Sequence, residues 1–158
     1  MQPSDDKISI RPATAAEVAQ LSGLLSLLFA QEADFAPDVE RQTRGLRLIL
    51  DQPAIGRIYC ASEGRQIIGM VSILFTVSTA EGGRAAWLED MVVHPEWRGQ
   101  CIGKRLLHAA ISGAREAGCS RITLLTDADN HSAARFYQRA GFVRSQMIPF
   151  RLNLQAGI

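Results

Sequence analysis

At 158 residues, 47% hydrophobic and with a formal net charge of +1, the chain is long enough for one well-packed core. It is too evenly charged to be held to nucleic acid or to an anionic membrane by bulk charge. The first ten residues lack an apolar signal core, and the most apolar run, Leu21–Ala30, is too short to span a bilayer. In chain order, Ile8–Ala13 predicts a short edge strand ended by Pro12, and Thr14–Glu17 (TAAE) a capping box that opens a helix running to about Ala30. After a connecting loop, Pro37 and Asp38 start a second helix, with Val39, Leu46, Ile49 and Leu50 at helical spacing and Pro53 as its stop. Three strands follow, from Gly56, Gln66 and Ala85, the first two joined by a hairpin turn at Glu63–Arg65. A helix begins near Cys101, with Ile102, Leu106, Leu107, Ala110, Ile111 and Ala114 on its apolar face. Arg121–Thr126 predicts a buried strand, His131–Arg139 a last helix, and the tail from Phe142 to Leu154 further strand. The expected fold is α/β, a mixed and mostly antiparallel sheet flanked by helices in the order βααβββαβαββ, as one domain over residues 1–158.

The cysteines, Cys60, Cys101 and Cys119, are odd in number and form no CxxC pair, and His94, His108 and His131 lie far apart. Neither a disulfide framework nor a metal site is expected, and a reducing cytoplasm suits the composition.

The stretch HPEWRGQCIGKRLL, His94–Leu107, runs from a proline turn through glycines into a helix. The first turn of a helix carries unpaired N–H groups and a partial positive charge, which suit a phosphate. Gly99 and Gly103 let a ligand approach the backbone, and Arg98 and Lys104 add charge. It is not a Walker loop, since three residues rather than four separate these glycines and Arg105 follows the lysine; nor is there a GxGxxG.

A second segment, NHSAARFYQRAGF, Asn130–Phe142, follows the predicted buried strand. The two together, in this order, resemble the GCN5-related N-acetyltransferase (GNAT) family. RGQCIG stands where that family has Arg/Gln-x-x-Gly-x-Gly/Ala, and Asn130, Ala133, Phe136, Tyr137, Gly141 and Phe142 match its later segment. One residue departs: Cys101 replaces the middle glycine of the loop. A side chain with positive φ would cost roughly 1–2 kcal/mol. Because CIGKRLL reads as helix from its first residue, Cys101 is expected in the helical region, pointing away from phosphate.

The resemblance implies acetyl-CoA as co-substrate and no metal. The pyrophosphate would lie on Arg98, Gly99, Gln100, Cys101, Ile102, Gly103 and Lys104. The pantetheine arm would pair like an added strand with backbone near Val92 and Val93, and Asn130, Ala133 and Tyr137 would complete the cofactor side. Tyr137 matches the tyrosine that protonates the departing thiolate, a phenol of pKa roughly 10 against roughly 8.5 for a thiol. The segment WLEDMVVHPEWRG is similar to polyamine-type members, which points to Glu89 as the residue acting on the incoming amine, with Asp90 as the alternative. Strand alternation sends these two to opposite faces. Glu32, Asp34 and Phe35 after the first helix, with Tyr59 and Trp87 on strands, are expected on the acceptor side.

The activity implied is acetyl transfer to a primary amine by direct attack, since no cysteine has a visible activating His–Asp setting. A small cationic amine is the expected acceptor and a second copy of the chain the expected partner; neither nucleic acid nor membrane is expected. Two alternatives stay open, a non-catalytic acyl-CoA-binding or regulatory module and a protein or peptide N-acetyltransferase.

Overall fold

The computed structural model describes residues 7–32 and 34–155. They form two compact units, one up to Leu125 and one from Thr126 on.

The first unit is a five-stranded sheet with strands in sequence order: β1 (Ile8–Pro12), β2 (Gly56–Glu63), β3 (Gln66–Ser78), β4 (Gly83–Val93) and β5 (Ile122–Leu124). All pairs are antiparallel except β4–β5, which is parallel and bridged by α3 (Ile102–Glu116). A parallel neighbour requires such a crossover, whereas the earlier strands need only tight turns. Between β1 and β2 the chain forms α1 (Val18–Phe29) and α2 (Val39–Leu50).

Both faces of the sheet centre are covered, which is why β3 reads as a near-continuous apolar run. On one face Leu21, Leu24 and Leu25 of α1 and Leu46 of α2 form a core with Ile58, Cys60, Met70 and Val92. On the other lies α3: a Cβ on Gly69 would come within 3.0 Å of Leu106, and one on Gly113 within 1.9 Å of the Tyr59 hydroxyl. Tyr59 therefore packs under α3, not on the acceptor side, because its ladder partner Val71 projects to the α3 face. Inside the α1–α2 contact, buried Gln42 donates to Ser22 O and Oγ and to Ser26 Oγ at 3.0–3.1 Å, and accepts the Asp38 N–H at 2.7 Å. This satisfies a side chain whose burial would otherwise be costly.

The helix starts follow local chemistry. Glu17 accepts the Thr14 N–H at 3.1 Å, the backward half of the TAAE capping box, although the first turn there is a 3₁₀ segment. Asp38 caps α2 by accepting the Arg41 N–H at 3.1 Å.

The second unit contains α4 (His131–Arg139), capped by Asn130, whose Oδ1 accepts the Ala133 N–H at 3.1 Å. The two strands expected at the end of the order are not formed in residues 143–155. An alternating segment becomes a strand only when a neighbour supplies the ladder, and no described residue pairs with it. The strand expected over Arg121–Thr126 is likewise only Ile122–Leu124, and half-buried.

Candidate active site

The two carboxylates of β4 stand at an irregularity in the sheet. Ile73 pairs with Leu88 and Ser72 with Asp90, which leaves Glu89 with no partner on β3. This is a β-bulge, and it changes which way the side chains face. Partners across a ladder project to the same side, and Ser72 and Ile73, as neighbours, project to opposite sides. Leu88 and Asp90 thus lie on opposite faces with one extra residue, Glu89, between them. The alternation from which opposite faces were expected for Glu89 and Asp90 does not run through the bulge, because it holds only while the ladder is unbroken. The face of Asp90 is that of Met70 and Val92, the face covered by α1.

Asp90 is half-buried, and Glu89 is exposed. Burial is the main cause that pushes the Asp90 carboxyl up to about 7, and the negative charges of Glu89 and Glu32 push the same way. Ser72 on β3 opposes them. Its hydroxyl accepts the Asp90 N–H at 3.2 Å and donates to Asp90 Oδ2 at 3.4 Å. Glu32, just beyond α1, thereby comes within electrostatic reach of Asp90, and Trp87 lies on the same face of β4, partly exposed. Asp34 and Phe35 continue the same segment, with the Phe35 ring 5.8 Å from that of Phe29.

Beyond the bulge the outer edge of β4 is open, with no described strand paired to it. Its ladder with β5 covers only Ala86–Leu88, while the strand runs on to Val93. The N–H of Asp90 points to β3, as does that of His94, which donates to Ile68 O at 2.8 Å. Backbone groups alternate along a strand, so Val92 also faces β3, and Met91 and Val93 face the open edge. Met91 is thus a backbone donor that the residue pattern did not single out, and Val92 turns the other way. The direction depends on where the bulge resets the alternation.

The open edge leads into the glycine-rich loop. Arg98 Nε donates to Val93 O at 3.2 Å and ties the loop to the strand end. Gly99 has φ +80° and Cys101 φ 60°, so Cys101 is left-handed and caps α3 from outside the helix. The expectation that Cys101 lies in the helical region is overturned. Its side chain is exposed, which relieves crowding but not the backbone cost of a non-glycine residue there. The first bond of α3 runs from the Arg105 N–H to Cys101 O at 3.1 Å. The N–H groups of Ile102, Gly103 and Lys104 therefore lie outside the helical ladder, the arrangement that receives an anion. Gln100 and Gly103 are half-buried, Lys104 exposed, and Ile102 is a core residue.

In the second unit Asn130 and Ala133 build the cap of α4, and Tyr137 lies six residues past His131 on the same helix. The Tyr137 ring meets Phe136 edge-on at 5.1 Å and Phe142 at 5.6 Å. Burial pushes its phenol up to about 12. A groove between α1 and α2, lined by Ala15, Val18, Val39 and Arg47 among others, includes none of these residues.

A model of the acetyltransferase (GNAT) family matches residues 24–142, from α1 through the loop and α4 to Phe142. The chain belongs to the GNAT family. A glucosamine 6-phosphate N-acetyltransferase of Trypanosoma brucei brucei is 32% identical over 101 residues, which are 63% of this chain and 66% of that enzyme. The chain spans only 38% of two uncharacterised N-acetyltransferases, of Pyropia yezoensis and Porphyra purpurea. An aminoalkylphosphonate N-acetyltransferase of Salmonella typhimurium is 28% identical over 86% of this chain and 85% of its own. Among solved structures, an integron cassette protein from the mobile metagenome of Cole Harbour Salt Marsh superimposes with a TM-score of 0.81. It is 28% identical, over 94% of this chain and 92% of that one. In this GNAT chain, no group of three or more His, Cys, Asp or Glu could hold a metal among the described residues. No described helix is long and apolar enough to cross a membrane.

Proposed function

We propose that residues 1–158 act as one acetyltransferase domain that moves an acetyl group from acetyl-CoA to a primary amine by direct attack. The family match runs through both compact units, which supports reading them as one domain. The observation that carries the reading is the open edge of β4, with a half-buried carboxylate at one end and the free N–H groups of a helix start at the other. The backbone at Met91 and Val93 suits an extended acyl-carrier arm, and the N–H groups of Ile102–Lys104 suit its pyrophosphate. Arg98 and Lys104 add charge there. Asn130 and Ala133 are assigned to the cofactor side by resemblance.

Bound acetyl-CoA supplies an acetyl thioester. Asp90 takes one proton from the incoming ammonium, the freed nitrogen lone pair forms the C–N bond as the C–S bond breaks, and the second nitrogen proton leaves through water, which returns a proton to the departing thiolate. A carboxyl held at about 7 suits this, being substantially ionised at neutral pH yet basic enough to accept the proton. Asp90 rather than Glu89 is favoured, because Glu89 is exposed and acts on Asp90 through its charge. By resemblance alone, Tyr137 is assigned as the hydrogen-bond donor to the departing thiolate. A phenol held at about 12 stabilises the sulfur in this way rather than surrendering its proton, and the thiol proton comes through water.

The relatives' names point to small amino compounds. Glu32, Glu89 and Asp90 favour a cationic acceptor over the phosphorylated amines of those two names. The test is thiol release from acetyl-CoA against polyamines, aminoglycosides, amino acids, amino sugar phosphates and peptides. Turnover with small cationic amines is expected. Release with peptides alone would make it a peptide acetyltransferase, and release with none an acyl-CoA-binding module.

A further inference from the structure

We propose that Ser72 is a positioning residue for Asp90, its hydroxyl bridging the bulge so that one atom holds both the backbone and the carboxyl of the proton acceptor. This rests on the reading of Asp90 as that acceptor.

Ser72 is an anomaly in its strand. From Ile67 to Ile73 every residue of β3 is buried, and Ser72 is the one with a polar side chain, at 0% exposure. A hydroxyl buried among Met70, Val71 and Ile73 costs free energy unless it is hydrogen-bonded, and an alanine would fill the place without that demand. Both bonds of the hydroxyl go to one residue, Asp90. In an unbroken ladder the Asp90 N–H would donate to a β3 carbonyl. At the bulge the Ser72 hydroxyl takes that donor instead, so its own proton is aimed away from the N–H and toward Oδ2. The carboxyl is thus held against β3 by a donor that prefers its ionised form.

This opposes the other influences on Asp90. Glu89 on its own strand and Glu32 from the segment after α1 are the charged groups acting on it, and both favour the protonated form. Ser72 is the hydrogen-bonding group that works against them, and so keeps part of the base ionised at neutral pH.

The experiment compares the parent with Ser72→Ala and Ser72→Cys, the latter of similar size with a weak donor. Carboxyl carbon shifts of Asp90, followed by NMR against pH in the free protein, give a readout independent of turnover. In both variants the Asp90 midpoint should rise, and the acidic limb of kcat/KM with the best amine should rise with it. At pH 6 the rate should fall about three- to ten-fold, the effect of losing one modest hydrogen bond. At pH 9 it should return to near the parental value with acetyl-CoA affinity little changed, while Ser72→Ala, which strips the Asp90 N–H of its acceptor, lowers the melting temperature by a few degrees. An unchanged Asp90 midpoint and shift would overturn the proposal and leave Ser72 a structural hydroxyl. A midpoint that rises while the acidic limb stays put would instead sink Asp90 as the base, and with it the positioning role.

Discussion

The two halves of β4 make different use of the same strand. Gly83–Leu88 is flanked by β3 on one side and meets β5 on the other from Ala86 onward, and its Ala85, Ala86 and Leu88 are core residues. Among the described strands Asp90–Val93 pairs with β3 alone; this half begins at the bulge residue Glu89 and carries the carboxylates and the open edge. Where both ladders close, the strand contributes stability. Where one is missing, its outward backbone groups have no ladder partner among the described strands, and the bulge interrupts the alternation of the acidic side chains.

The sharpest way to break the comparison is to remove the carboxylate of the open half. Asp90→Asn should lower kcat by about 10²- to 10⁴-fold with acetyl-CoA affinity unchanged, as steady-state kinetics and calorimetry would reveal. The same change should stabilise the fold at pH 8. The folded-state pKa of Asp90 is raised, so its contribution is present below about pH 4 and is lost as pH rises toward 7. Asparagine removes that loss, worth up to about 4 kcal/mol, and melts of the variant should lack the parent's decline between pH 4 and 7. A variant both slower and less stable at pH 8 would mean that the Asp90 charge serves the fold.

The closed half should behave in the opposite way. Leu88→Ala removes a side chain only 5% exposed and should cost about 2–5 kcal/mol in urea titrations, with kcat of the folded fraction within about threefold of the parent. A large loss of kcat in fully folded protein would show that the bulge transmits packing into the site.

Next in size is Cys101, at the far end of the open edge. Cys101→Gly should raise stability by about 1 kcal/mol by relieving a left-handed non-glycine residue, with acetyl-CoA affinity equal or higher. Bound ligand should also slow alkylation of the parent thiol, and equal labelling rates would point the side chain away from the ligand.

The smallest effect is expected at Glu89. Glu89→Gln removes a charge that pushes Asp90 up, so the acidic limb should move to lower pH by less than about one unit, with kcat at pH 8 within about threefold. Loss of turnover here, with Asp90→Asn active, would exchange the roles of the two carboxylates.

What the sequence by itself determined lies in short-range rules. The 3.6-residue spacing of Leu21–Phe29 and Ile102–Ala114, the caps at Asp38 and Asn130, and the apolar run of β3 each follow from neighbours a few residues apart. The glycine-rich turn before α3 was legible on the same grounds. Only the tertiary structure decided which way the carboxylates face, since the bulge arises from the register of β3 against β4, and one extra residue reverses every later side chain. It also decided that Cys101 is left-handed, because the chain must turn from the end of β4 into a helix packed on the sheet. Tyr59 went under α3 because the β2–β3 pairing set its face. The tail kept an alternating pattern but formed no strand, since a ladder needs a partner that local sequence does not supply.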